Sequence, residues 1–193
     1  VKFIFQPAEE GAPPGEEGGA KLMIKEGVMM NPKVEVAFGL HISADTPEGI
    51  LTYKPGGILA AADRFVIQVN GKQSHGSQPW ASIDPIVTSA QIISGIQTII
   101  SRQTELTKEG AVITVGMINS GIRNNIIPES AEMIGTIRTL DTQMQDKIHA
   151  DLIRTATKIG ESMGAQVTVD IEREVPVTFN DPALTTKAAN WLN

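Results

Sequence analysis

Two glutamates stand side by side at Glu9 and Glu10, just after the apolar run "VKFIF" and the proline at position 7. Adjacent carboxylates repel, so the pair is either a solvated turn or a place where something positive sits. A hydrolytic metal centre needs a few nitrogen or oxygen ligands and a nearby carboxylate that takes a proton from the attacking water. Successive side chains leaving a strand point in different directions. One glutamate could therefore bind metal while its neighbour stays free as the base. His41, in "FGLHI", could add a nitrogen ligand. On spacing alone the signal is weak, because a Glu pair in a surface turn is commonplace and one Glu with one His is too few ligands for a stable site.

The elements that must position these residues follow from apolar periodicity. "VKFIF" reads as a strand buried on both faces, "GGAKLMIKEGVMM" places Ala20, Met23, Ile24 and Met30 near helical spacing, and "VEVAFGLHI" reads as a second strand. Strand, helix and strand in this order predict a βαβ unit of a parallel sheet, with Glu9, Glu10 and His41 at the edge where ligands bind. From Arg64 the pattern changes. "RFVIQVNG" alternates, with Phe65, Ile67 and Val69 on one side. Asp84 and Pro85 form a helix start, and Ile86, Ala90, Ile93 and Ile100 line one face of the helix that follows. "AVITVGMIN" and "AEMIGTIRTL" are strands, the second with Ala131, Met133, Ile137 and Thr139 in alternation. Asp141 caps a second helix with Met144, Ile148, Leu152, Ala156, Ile159 and Met163 at helical spacing, Gly164 ends it, and "AQVTVDI" is the last strand. The order βαββαβ is that of a ferredoxin-like unit. The expected organisation is an α/β chain with a partial parallel-sheet domain at 1–63, a ferredoxin-like insertion at 64–172 and a return into the first domain at 173–193. "YKPGGILAAAD" and "EREVPVTFNDPA" are the two crossings.

The 193 residues carry a net charge of −6, which argues against non-specific binding of nucleic acid. No apolar run approaches the roughly 20 residues that span a bilayer. The absence of cysteine fits a reducing compartment, so a cytoplasmic location is expected. The chain opens in mid-strand at Val1, without a secretory leader, and stops in "TTKAANWLN", which reads as a helix cut short. The expectation is a fragment of a longer protein.

Four stretches, "IFQPAEEG", "FGLH", "GKQSHGSQPWASIDPI" and "NNIIPESAEMIGTIRT", closely resemble in order and spacing the metal-dependent N-acyl-amino-acid amidohydrolases (aminoacylase, hippurate hydrolase and the auxin-conjugate hydrolases) within the larger group of dimetal exopeptidases. The resemblance runs over essentially the whole chain. It implies a parallel-sheet catalytic domain with the ferredoxin-like insertion as a lid or dimerisation domain, two divalent metal ions, and an N-acyl amino acid or short peptide-like amide as substrate. Zinc, manganese, cobalt and nickel are all compatible with a Glu/His ligand set. Position by position, it implies Glu9 as general base, Glu10 and His41 as metal ligands, and His75 as the group that polarises the scissile carbonyl. It implies Asn125 in substrate binding and Arg138 as a partner for the substrate carboxylate.

Read without the resemblance, His75 is an exposed loop histidine, Asn125 a turn asparagine and Arg138 half-exposed sheet decoration. Trp80 either packs on the lid or lines the pocket. The chain also departs from the family. The ligand-bearing "HxCGHD"-like segment and a later histidine are absent, and Trp80 stands where the family often has a second histidine. The intact protein is thus expected to be a hydrolase and this fragment inactive and metal-poor. In an idealised βαββαβ unit the His75 loop and the Asn125 hairpin are expected at opposite ends of the sheet. Both would meet one site only if a loop curls over or a second subunit contributes one of them, which favours a homodimer through the lid. Two other classes compete: a non-catalytic assembly module, and an RNA-binding sheet, which would need paired aromatics and a basic surface that this chain lacks.

Overall fold

Asp84 and Asp141, the two aspartates expected to start helices, both do so. The Asp84 carboxylate accepts from the backbone N–H groups of Ile86 and Val87, and that of Asp141 from Met144. The computed structural model describes residues 1–192, a mixed α/β chain in two units, one ending at Leu51 and one beginning at Thr52. In chain order the elements are α1 (Gly19–Lys25), β1 (Gly56–Leu59), β2 (Ala61–Asn70), β3 (Ser74–His75), α2 (Pro85–Thr98), β4 (Ala111–Ser120), β5 (Ile126–Ile127), β6 (Ser130–Thr139), α3 (Thr142–Ser162), β7 (Gln166–Val175), β8 (Thr178–Asn180) and α4 (Pro182–Leu192). A one-turn 3-10 helix (Pro79–Ala81) precedes α2 and a π-turn (Ile99–Gln103) extends it.

The first unit corrects the sequence reading. Neither "VKFIF" nor "VEVAFGLHI" forms a strand, so the expected parallel βαβ unit is not present. The reason is physical. A strand buried on both faces needs paired neighbours and a covering layer on each side, and this unit offers one seven-residue helix. Phe3, Phe5, Phe38, Leu40 and Ile42 accordingly lie exposed. The helix reaches Lys25, and Met30 falls outside it. Lys2 ties the first stretch down by donating from Nζ to the Val28 and Asn31 carbonyls at 2.6 and 2.9 Å.

The second unit is built on a four-stranded antiparallel sheet in the order β4-β6-β2-β7. Phe65, Ile67 and Val69 point to one face and are fully buried, as the alternation predicts. Met133 and Ile137 of β6 join them. Both long helices cover this face, α3 with Ile148, Leu152 and Ala156. The buried stripe is Thr88, Ser89, Ile92 and Ile96 of α2 with Ile99 of the π-turn, while Ile86 and Ala90 are exposed. The expected face is therefore rotated. The isoleucines spread over one broad arc of this helix, so helical spacing alone left the centre of the buried stripe open. Gly135 is required where it stands, because a Cβ there would lie 2.2 Å from the Phe65 ring.

Under α3 lies a polar cluster that periodicity did not reveal. Asp63 is fully buried and accepts from Gln145 Nε2 at 2.9 and 2.8 Å, one bond to each oxygen, with His149 Nε2 at 2.6 Å. The two expected crossings pair with each other: β1 runs antiparallel to β8, with Gly56 opposite Asn180.

Candidate active site

In the first unit Glu9 and Glu10 occupy the middle of a tight turn. The Gly11 N–H donates to the Ala8 carbonyl at 3.2 Å, and the Gly19 N–H to the Pro7 carbonyl at 3.0 Å, which fixes the turn against the start of α1. Both carboxylates are exposed. His41 is exposed in the irregular stretch that follows Val34. Among the described residues no three His, Asp or Glu side chains come together as a metal-holding group. The side chains of this chain therefore do not by themselves fit a resident metal ion.

The second unit assembles two of the expected residues. Short strand β3 pairs antiparallel with β5, placing Ser74 opposite Ile127 and His75 opposite Ile126. The Gly76 N–H donates to the Asn125 carbonyl at 2.8 Å. A Cβ on residue 76 would sit 3.1 Å from that carbonyl oxygen, so glycine lets the His75 loop approach the Asn125 hairpin. This corrects the expectation that the two leave opposite ends of the sheet. β2 and β4 both run antiparallel to β6, hence parallel to each other, and Asn70 and Ser120 end at the same edge, beside Ser130 and Ala131. The loop after β2 and the hairpin after β4 thus emerge together, and no second copy is needed to unite His75 with Asn125.

The His75 loop is pinned internally. The Gln78 N–H donates to the His75 carbonyl at 2.8 Å, closing a turn over residues 75–78, and Ser74 Oγ reaches the Gln78 carbonyl at 3.2 Å. Within that turn the imidazole Nδ1 lies 2.7 Å from Ser77 Oγ and 3.2 Å from the Ser77 backbone nitrogen. The ring is exposed. Trp80 follows on the 3-10 turn and is 81% exposed.

Arg138 is elsewhere. It lies on β6 opposite Ala62 and Val112, at the end away from Ser130. Eight residues at about 3.3 Å each separate the two ends by roughly 26 Å. Arg138 lines a shallow cavity of about 310 Å³ with Arg64, Thr114, Met117, Ile134 and Glu174. The structure brings together His75 and Asn125 and sets Arg138 apart from them.

The sequence pattern of peptidase family M20/M25/M40 matches residues 1–192. The chain belongs to that family. Among M20/M25/M40 relatives, it is 41% identical over its whole length to thermostable carboxypeptidase 2 of Saccharolobus solfataricus, covering 48% of that protein. It is 37% identical over 94% of its length to an N-acetylcysteine deacetylase of Bacillus subtilis, covering 46% of it. A crystal structure from Bacillus subtilis, described as a dinuclear metal-binding peptidase of the M20 family, superposes with a TM-score of 0.76 at 33% identity. That match covers 98% of this chain and 46% of the other. The M20/M25/M40 chain thus spans about half the length of the curated relatives it matches. The resemblance drawn from the four motifs agrees with this membership.

Proposed function

We propose that this chain is part of a metal-dependent amidohydrolase that cleaves the amide bond of N-acyl amino acids or short peptide-like substrates. Residues 64–172 would act as its ferredoxin-like lid or dimerisation domain. The observation that carries the reading is the junction of β3 and β5, which sets His75 and Asn125 side by side at one exposed edge. The βαββαβ order of β2, α2, β4, β6, α3 and β7 supports the lid assignment. Family membership and the printed activities of the relatives, a carboxypeptidase and a deacetylase, support amide hydrolysis.

In this reading Glu9, exposed and free of any salt-bridge partner among the described residues, takes a proton from the attacking water and returns it to the leaving amine. His75 donates a hydrogen bond to the oxygen that becomes the oxyanion, and the Asn125 side chain holds the substrate amide. Glu10 and His41 would each give one ligand to a divalent-metal centre, completed by donors this unit does not supply. Such a centre would lend Lewis-acid chemistry to the carbonyl.

Arg138 is the proposed partner of the substrate carboxylate. The edge at Ser130, where the His75 loop emerges, lies roughly 26 Å along β6 from Arg138, too far for one small substrate to touch both within a lid. One substrate touching both needs His75 from one copy and Arg138 from another, and this separation supports a homodimer through the lid. Kinetics on the full-length, metal-loaded protein test the reading. His75→Ala and Asn125→Ala are expected to lower kcat/KM for an N-acetyl amino acid by about 10²-fold or more. Unchanged turnover in both would remove the lid from the chemistry and favour the assembly module.

A further inference from the structure

The hydrogen bonds around His75 decide which of its ring nitrogens carries the proton. A backbone N–H can only donate, and the Ser77 N–H points at Nδ1 from 3.2 Å. That contact favours a bare Nδ1 with its lone pair toward the Ser77 N–H. Ser77 Oγ, 2.7 Å from the same nitrogen, can then only donate to it as well. In the neutral ring the proton sits on Nε2, the nitrogen facing away from the 75–78 turn.

We propose that Ser77 is a positioning residue that fixes His75 as the Nε2–H tautomer, so that the ring serves the reaction as a hydrogen-bond donor and not as a proton acceptor. The inference rests on the reading of His75 as the group that meets the substrate carbonyl, and it deepens that reading. Three features hold Ser77 in place. The Gln78 N–H closes the turn on the His75 carbonyl, Ser74 Oγ reaches the Gln78 carbonyl, and Gly76 is held to Asn125. These bonds fix the backbone of the turn on both sides of Ser77. A general base at this position would need a bare Nε2, and the two donors at Nδ1 disfavour that form. Proton transfer is thereby left to Glu9, and His75 keeps its proton throughout the cycle.

The test has a spectroscopic arm and a kinetic arm. In this chain labelled with ¹⁵N-histidine, the three rings give separable side-chain correlations, assigned by His75→Gln. Wild type is expected to show the Nε2–H pattern for His75 above the pH at which the ring loses its charge. Ser77→Ala, left with the longer backbone bond alone, is expected to show a mixture of tautomers, and Ser77→Thr to restore the single form. In the full-length, metal-loaded enzyme Ser77→Ala is expected to lower kcat about tenfold with little change in KM, with Ser77→Thr recovering most of it. An Nδ1–H pattern in wild type, or the same tautomer balance in Ser77→Ala, overturns the inference. If His75→Ala leaves kcat intact, the catalytic reading of His75 fails, while the spectra still decide the tautomer.

Discussion

His75 and Asn125 belong to loops on two different strands, yet Gly76 donates to the Asn125 carbonyl at 2.8 Å and His75 faces Ile126 across a two-residue ladder. The two side chains therefore share one platform. Substituting Gly76 by valine puts a Cβ 3.1 Å from the Asn125 carbonyl and branches it further. The junction is expected to open, with a loss of kcat/KM of about tenfold or more and little loss of thermal stability, since β3 and β5 lie outside the core sheet. Steady-state kinetics beside a melting curve of the full-length protein separate the two effects.

The separation of His75 from Arg138 predicts complementation. His75→Ala and Arg138→Ala are each expected to be nearly inactive in the full-length protein. Mixed and allowed to exchange subunits, they should recover about a quarter of wild-type activity, because half the dimers are mixed and each holds one intact site. No recovery on mixing, with exchange verified by mass, would contradict a site shared between copies.

Asp63 is a carboxylate with no exposed surface, held by Gln145 and by His149. Removing His149 leaves a buried acceptor short of a donor. His149→Ala is expected to destabilise the second unit by about 2–4 kcal/mol. A double change with Asp63→Leu should cost less than the sum of the two single ones. Urea unfolding followed by circular dichroism measures both.

Asp141 links the N-terminus of α3 to Lys108. The Met144 backbone N–H at 2.8 Å, and behind it the Lys108 ammonium at 3.1 Å, hold its carboxyl below the usual range against the opposing effect of partial burial. A carboxylate depressed by folding contributes stability that is present above its unfolded value. That contribution is lost as pH falls through the folded one. Unfolding midpoints should therefore drop below about pH 4, and Asp141→Asn, which keeps the cap without the charge, should flatten that limb. Asp141→Ala is expected to cost about 1 kcal/mol at neutral pH.

The second unit was legible because its sheet is half covered. Alternation at Phe65, Ile67 and Val69 and the caps at Asp84 and Asp141 each carry a local signal. The phase of α2 was not legible, since its isoleucines spread over one broad arc and only packing selects Ile92 and Ile96 as the buried centre. Glu9, Glu10 and His41 could be picked out by type, but the strands expected to carry them depend on neighbours and covering layers that the first unit does not contain. The meeting of His75 with Asn125 was misread for a different reason. Two-residue strands leave no periodicity, and the shared edge follows only from β2 and β4 both pairing with β6. The partners of Asp63 were silent because a buried carboxylate on a strand reads like any alternating polar residue.

Glu9 is central to the proposal, as the general base of amide hydrolysis. Turnover of an N-acetyl amino acid by the full-length, metal-loaded protein, wild type beside Glu9→Gln with metal content matched, tests it most directly. Clear hydrolysis by wild type and a fall in kcat of about 10²–10⁴-fold in the variant are expected. Equal turnover in the two, or none in a wild type that holds its metal, would contradict it.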